Sequence, residues 1–356
     1  MLEAVLLVGG QGTRLRPLTF TTPKPMLPVA GVPFLLHQIL KLRDSGVGHI
    51  VLATSYRSEI FVERFGDGGA LQVELSYVDE NEPLGTGGAI RNAATALRGG
   101  GDSPVIVLNG DVVSGHSLVA QVAHHERAKA DLTLHLVEVE DARAYGCVPT
   151  DEEGRVLEFL EKLPHPVTRW INAGAYVFRR SVINAIPAGQ VVSVERDTFP
   201  QLLRSGAIVN AWKESSYWID VGTPATLLQC SADLVRGIAR SSAVPGPSGE
   251  ALLLEGSKVA AGAEVRGGSV VGPDAVVGEG ALVDGAIVMS GAIVGAGAAV
   301  RRSVLGRGAV VGENASLLDC VLGDEADVAP DVELPSGTSL APREHYEPSG
   351  ALASDG

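Results

Sequence analysis

Aromatic residues are scarce, 4% of 356, and cysteines are scarcer. Cys147, Cys230 and Cys320 stand far apart, form no metal-ligand pair and cannot all be disulfide-bonded within one chain. Their usage excludes a disulfide scaffold and fits small buried residues in a reducing compartment. Positive charge is also in deficit. With 28 basic against 42 acidic residues the net charge is −14, which opposes binding to a phosphate backbone except where cations gather locally, so nucleic acid is not an expected partner. No apolar run approaches the roughly 20 residues of a membrane span, so no membrane partner is expected. The first strand-like run starts at Glu3 without a basic leader or apolar h-region, and the cytoplasm is the expected location. What is present in quantity is aliphatic: 45% hydrophobic content, enough for a real core.

Two patterns divide the chain. Up to about residue 230, β-branched runs at 4–8, 49–53, 73–78 and 105–109 alternate with helical patterns at 33–44, 88–97 and 117–129. That alternation predicts a mostly parallel sheet covered on both faces, whose ligands sit at the carboxyl ends of the strands. We read residues 1–240 as one domain and the Ser/Pro/Gly-rich stretch 241–250 as a linker. Beyond it no aromatic appears until Tyr346. Aliphatics there recur every six residues: Val259, Val265, Val271, Val277, Val283; Val288, Val294, Val300; Leu305, Val311, Leu317; Leu322, Val328, Leu334. A sixfold aliphatic repeat with small residues between is the pattern of a hexapeptide β-helix. We expect it over 251–340, about four coils between 259 and 334, with corners tightened where the step falls to five and a polar tail over 341–356.

The stretch "VGGQGTRLRPLTFTTPKPMLPVAG" (8–31) follows the first strand run. A P-loop would need lysine and Ser/Thr where Thr13 and Arg14 stand, and a dinucleotide fingerprint would need glycine where Leu15 stands. Neither motif fits. What remains is a glycine loop whose amides can approach a polyphosphate, with Arg14 and Lys24 able to reach a phosphoryl group. Prolines at 17, 23, 25 and 28 stiffen the segment carrying Lys24.

This stretch resembles the signature of the sugar-1-phosphate nucleotidyltransferases, or nucleotide-sugar pyrophosphorylases. The likeness continues in order through "EPLGTGGAI" (82–90), "NGDV" (109–112), "YGCVPTDEEGRV" (145–156), "FLEKL" (159–163), "INAGAYVF" (171–178), "VSVERDTFP" (192–200) and "WIDVGTP" (218–224). Among the subfamilies, "EPLGTGG", "INAGAYVF" and "SVERDTFP" together with a hexapeptide β-helix are most similar to bacterial mannose-1-phosphate guanylyltransferases. The resemblance implies an α/β fold: a Rossmann-like nucleotidyltransferase domain with a mostly parallel mixed sheet, then a C-terminal left-handed parallel β-helix.

It also implies a reaction and a set of roles. A sugar 1-phosphate oxygen attacks the α-phosphorus of a nucleoside triphosphate and pyrophosphate leaves; the subfamily resemblance implies GTP and mannose 1-phosphate giving GDP-mannose. Gly9, Gly10, Gly12 and Thr13 are assigned to the triphosphate, Arg14 to the α-phosphate and leaving group, Lys24 to the reacting phosphates, and Lys162 to the sugar phosphate. Asp111 and Asp220 fill the places of the Mg²⁺ ligands, the ion taking its other ligands from phosphates and water. Gly146, Glu161 and Asn172, with Gly174 close by, occupy the hexose positions. Gly85 would contact the base by its backbone, and Glu80 or Glu82 would accept from guanine N1 and N2. One departure is "EKL" where the family commonly has "EKP", Pro164 coming one place later. Cys147 reads as a small strand residue.

The same phosphate machinery would serve thymidylyl or uridylyl transfer to glucose 1-phosphate, or guanylyl transfer to a sugar-like cyclitol phosphate. A regulatory subunit binding nucleotide sugar without turnover would be expected to lose Arg14, Lys24 or an aspartate, and none is lost. Hexapeptide acyltransferases usually need a histidine in or beside the coils. The eight histidines here lie at 37, 49, 116, 124, 125, 135, 165 and 345, none within the repeat. The β-helix therefore reads as structural, packing on the catalytic half and on another subunit in a homo-oligomer, a dimer or a tetramer.

Overall fold

The apolar run after Met1 becomes the strand Leu2–Leu7, fully buried from Ala4 to Leu6. In the computed structural model, which describes residues 1–54, 58–80 and 82–347, this strand is central to a nine-stranded sheet. Pro104–Asn109 and Val47–Thr54 flank it in parallel, and Glu74–Asp79 adds a fourth parallel strand beyond Val47–Thr54. Parallel strands buried on both faces read as continuous aliphatic runs, as the three inner ones do, while Glu74–Asp79 at the edge is largely half-buried and mixes polar residues in. The sheet is mixed because Trp170–Arg179 runs antiparallel to Pro104–Asn109 and to Leu132–Glu138. Gly146–Cys147 and Leu160–Glu161 extend that side. Tyr176, Phe178 and Phe199, three of the few aromatics, cluster in the core against aliphatics of the sheet.

The three expected helices fall at Phe34–Asp44, Gly85–Ala93 and Leu118–Arg127, the last capped by Ser117, whose hydroxyl accepts from the Ala120 amide. The second starts three residues before its expected position. Glycines that read as loop instead open the helix because the Gly87 and Gly88 amides both donate to the Val192 carbonyl.

The chain divides into two compact units that do not follow the expected boundary at 240. One comprises Met1–Gly10 and His37–Trp218; the other joins Gln11–Leu36 to Ile219–Gly356. In the second unit the helix Pro224–Arg236 is opened by a capping box of Thr223 and Thr226 and closed by Gly237 in the left-handed region. Short parallel strands then stack into two six-stranded sheets and one four-stranded sheet. Val271 pairs with Val288, Val277 with Val294 and Val283 with Val300, one coil of 17 residues on. The hexad aliphatics from Val271 to Leu334 form one buried column. Where the step falls to five the corner shortens to two residues, Arg302–Ser303 and Asp319–Cys320 between their strands, with Arg302 and Asp319 in the left-handed region.

The solenoid runs further than expected. Ala251–Leu253 begins one sheet and His345–Tyr346 ends another, pairing with Asp327–Val328. Residues 341–347, expected as polar tail, thus belong in part to the coils; the rest of that tail, 348–356, lies outside the described residues.

Candidate active site

The parallel strands all end on one edge of the sheet, and the loops leaving that edge carry the expected groups of the first unit. Gly9 and Gly10 follow Leu2–Leu7 and are exposed, Gly10 at φ +112°. Gly110 and Asp111 follow Pro104–Asn109. The Gly110 amide donates to the Leu7 carbonyl at 2.9 Å, and a Cβ there would stand 2.4 Å from that oxygen. Only glycine lets the two strand ends approach so closely, and the approach sets where Asp111 leaves the sheet. The strand after Asp111, Val112–Ser114, is held from the helix Phe34–Asp44: Gln38 donates to the Val112 carbonyl, and Lys41 Nζ donates to the Ser114 carbonyl and, at 3.0 Å, to its hydroxyl. Burial lowers Lys41 to about 8, with Glu214 opposing the shift.

Three expected hexose residues come together across neighbouring strands. Glu161 lies opposite Gly146, and Cys147 opposite both Leu160 and Ile171. Carrying that antiparallel register one residue on puts Asn172 on the other side of Gly146. Cross-strand neighbours share a face, so Glu161 and Asn172 flank a position with no side chain. A Cβ on Gly146 would stand 2.8 Å from Glu161 Oε2. Lys162 Nζ lies 3.5 Å from Glu161 Oε1, and its backbone, at φ +48°, donates to the Tyr145 carbonyl. The turn thus closes with Leu163 where the family commonly has proline.

Asn172 is held in place: its Nδ2 donates to Tyr176 Oη at 2.9 Å, and its Oδ1 accepts from the Gly174 amide at 3.2 Å. Gly174, at φ +74°, leaves room for Asn109, whose Nδ2 would be 2.8 Å from a Cβ there. Burial pushes the Tyr176 phenol well above its ordinary range, so it stays protonated. Asn109 and Tyr176, both inside quoted motifs, were given no role from sequence; the polar atoms on a buried strand were their only signal.

Glu80 follows Glu74–Asp79 at the same edge. Its Oε2 accepts from the Leu84 amide at 3.3 Å, whereas its Oε1 is buried with no partner among the described residues. Burial raises its pKa despite the Leu84 hydrogen bond. Glu82 is exposed. Gly85 opens its helix at φ +70°, 2.7 Å separating a Cβ there from the Val192 carbonyl, so packing alone demands glycine at this position.

The second unit holds the cationic segment. Residues 11–36 carry Arg14, Arg16 and Lys24 and no acidic residue. Gly12, at φ +56°, precedes the short turn Thr13–Leu15. A Cβ on Gly12 would stand 3.0 Å from Lys24 Cβ, and its carbonyl accepts from Thr19 Oγ1 at 2.9 Å. The glycine loop and Lys24 are thus packed together. Arg14 crosses Gly222, in the turn after Trp218–Asp220: a Cβ there would lie 2.7 Å from Arg14 Nη2. Arg14 is thereby seated two residues from Asp220. Gly222 was quoted within "WIDVGTP" without a function, and its missing side chain is what admits the guanidinium.

Asp111 belongs to the first unit and Asp220 to the second. Among the described residues no three His, Cys, Asp or Glu side chains gather as a metal centre. Each aspartate is a half-buried carboxylate, a hard oxygen donor of the kind Mg²⁺ takes alongside phosphate and water ligands.

The fold and these side chains define an α/β protein with a glycine loop at the carboxyl end of its first parallel strand, and a phosphate-competent cationic segment in the unit that carries the β-helix. The Nucleotidyl transferase family model matches residues 3–237, and the chain belongs to that family. A GMPPB C-terminal domain model matches 248–345. Over 285 residues the chain is 52% identical to the mannose-1-phosphate guanylyltransferase of Mycobacterium tuberculosis, covering 80% of this chain and 79% of that one. It is 33% identical to mannose-1-phosphate guanylyltransferase 1 of Arabidopsis thaliana over 80% of this chain and 78% of that one. HddC from Yersinia pseudotuberculosis, 32% identical, superposes with a TM-score of 0.56 over 65% of this chain and 98% of its own; a second HddC structure is complexed with GMP-PN, with a TM-score of 0.55 over the same shares. Among the described residues no helix is long and apolar enough to cross a membrane.

Proposed function

We propose that the protein transfers the guanylyl group of GTP to mannose 1-phosphate, forming GDP-mannose and releasing pyrophosphate. The observation that carries this reading is the 52% identity to the Mycobacterium tuberculosis mannose-1-phosphate guanylyltransferase across four fifths of both chains.

A phosphate monoester is already mostly dianionic at neutral pH, so its oxygen attacks the α-phosphorus without a general base. The bond from the α-phosphorus to the α,β-bridging oxygen breaks, and pyrophosphate departs with the electron pair on that oxygen. The barrier is the meeting of two polyanions, and catalysis reduces to positioning and charge neutralisation. Gly9, Gly10, Gly12 and Thr13 would cradle the triphosphate. Arg14, held over Gly222, would stabilise the α-phosphate and leaving group, and Lys24 the reacting phosphates. Lys162 would grip the sugar phosphate, while Glu161 and Asn172 accept and donate at the hexose hydroxyls. Asp111 and Asp220 would hold Mg²⁺, which when bound neutralises phosphate charge.

The buried, unpartnered Oε1 of Glu80 supports guanine, whose N1 and N2 donors need acceptors. Glu80→Gln replaces one acceptor with a donor. We expect KM for GTP to rise about tenfold to a hundredfold, the loss of a bidentate pair, with kcat little changed; equal KM values for the two proteins would remove Glu80 from base recognition.

The same proposal includes a cytoplasmic location, supported by three buried cysteines that form no disulfide among the described residues. It also includes a homo-oligomer formed through the β-helix, where Val259 and Ile293 stand exposed on one sheet.

A further inference from the structure

Arg–Asp pairs staple successive coils of the β-helix. Arg302 bonds Asp319, Arg307 bonds Asp324, and Arg266 bonds Asp284. Most such pairs on an exposed surface contribute little to stability. The pair at Arg307 and Asp324 differs in what else it binds. Arg307 Nη2 donates both to Asp324 Oδ2 at 2.8 Å and to Thr22 Oγ1 at 2.7 Å. Thr21 Oγ1 donates to the same Asp324 Oδ2 at 2.9 Å. Asp324 Oδ1 accepts from the Arg307 amide at 2.9 Å, and the Asp324 side chain is only 15% exposed. This carboxylate is therefore saturated and well shielded, a setting in which charge-assisted hydrogen bonds keep more of their strength.

Thr21 and Thr22 lie 285 residues or more before these partners. They sit immediately before Pro23, Lys24 and Pro25, so the fixed φ of Pro23 and the restriction Pro25 places on the residue before it carry the anchored position of Thr22 to Lys24 with little slack. Lys24 in turn packs on Gly12, and Thr19 holds the Gly12 carbonyl. The segment Gln11–Leu36 accordingly belongs to the same compact unit as the coils.

We propose that Arg307 and Asp324 are positioning residues for the phosphate loop: the β-helix clasps Thr21 and Thr22 and so fixes the placement of Lys24 and Gly12 for the triphosphate. The inference rests on the guanylyl-transfer reading for what the loop binds, and on geometry alone for the clasp.

The test uses the full chain. Amide hydrogen exchange over residues 11–27 without nucleotide is measured beside kcat and KM for GTP, in Arg307→Ala and in Thr21→Val/Thr22→Val, which leaves the coils untouched. Arg302→Ala, which removes a like staple to Asp319, is the control. Faster exchange at 11–27 and kcat/KM lowered about tenfold to a hundredfold, the scale of a small misplacement of reacting groups, are expected in both variants. Thr21→Ser/Thr22→Ser should restore wild-type behaviour, and Arg302→Ala should match wild type. Wild-type exchange at 11–27 in Arg307→Ala and the valine pair, or equal loosening in Arg302→Ala, would overturn the clasp. Absence of turnover in the wild type would sink the guanylyl-transfer reading, while the exchange comparison would still decide the clasp.

Discussion

A single methyl group added at Gly222 would put a carbon 2.7 Å from Arg14 Nη2. The glycine is outside the left-handed region, so alanine strains no backbone there and the clash falls on the guanidinium. Gly222→Ala is expected to lower kcat about a hundredfold, the worth of one displaced electrostatic stabiliser, while the thermal midpoint moves by only a few degrees. A variant with wild-type kcat would show that Arg14 acts from another position. Residue-scale roles were unevenly legible. Arg14 and Lys24 stand out because cations beside glycines and prolines are conspicuous in an acidic chain. Gly222 and Asn109 do not, because what matters about each is a neighbour more than 60 residues distant in sequence, and Tyr176 is hidden because its phenol meets Asn172 only four residues away on a largely apolar strand.

At the scale of elements, the strand pair Gly146–Cys147 and Leu160–Glu161 is the clearest case of register producing a site. Gly146→Ala pushes a methyl group to 2.8 Å from Glu161 Oε2 and 3.0 Å from the Phe159 ring. Its expected effect is a raised KM for the sugar phosphate, about tenfold or more, with KM for GTP unchanged; a shift of both constants would mean the pair does not act on the sugar alone. Long aliphatic runs identified their strands well: residues 105–109 lie within Pro104–Asn109. The hexads from Val271 onward identified the coils because period six admits one architecture. The C-terminal coil was missed although Leu334, Leu340 and Tyr346 keep the step of six, since polar residues around them mask the pattern. The early start of the helix Gly85–Ala93 was hidden for a different reason. Its anchor, the Val192 carbonyl, is a backbone atom a hundred residues away.

At the scale of the whole molecule, titration of buried groups sets stability. His116, His125 and His135 are buried in the first unit. Burial first, and then Lys41, depress His116 and bring His135 to about 3; burial and Arg179 bring His125 to about 4. The unfolded chain protonates each near its ordinary 6.5, so below that pH it binds more protons than the folded chain. Stability should therefore be level above about pH 7 and fall as pH drops from 6.5 towards 4, by up to about 1.4 kcal/mol per pH unit for each histidine. Glu3 adds to this at lower pH. Burial opposes its ionisation, but hydrogen bonds from His49, Arg98 and Gly99 hold it below 4.5, so its contribution is present above that value and is lost as pH falls through the folded pKa. Urea midpoints from pH 8 to 4 check this; a flat profile between 7 and 5 would contradict it, and His125→Gln should flatten the curve.

The molecule's net charge of −14 sets the background against which an acid-free segment with three cations must meet two polyanionic substrates. The grouping of that segment with the coils, 1–240 having been read as one domain, could not be seen in sequence because it rests on contacts such as Thr21 with Asp324.

The most direct measurement is pyrophosphate release with Mg²⁺, crossing GTP, dTTP, UTP, ATP and CTP against mannose, glucose and N-acetylglucosamine 1-phosphates. The account predicts turnover with GTP and mannose 1-phosphate well above every other pair, abolished by chelation of the metal. Turnover led by another nucleotide or another sugar phosphate, or none with any pair, would contradict it.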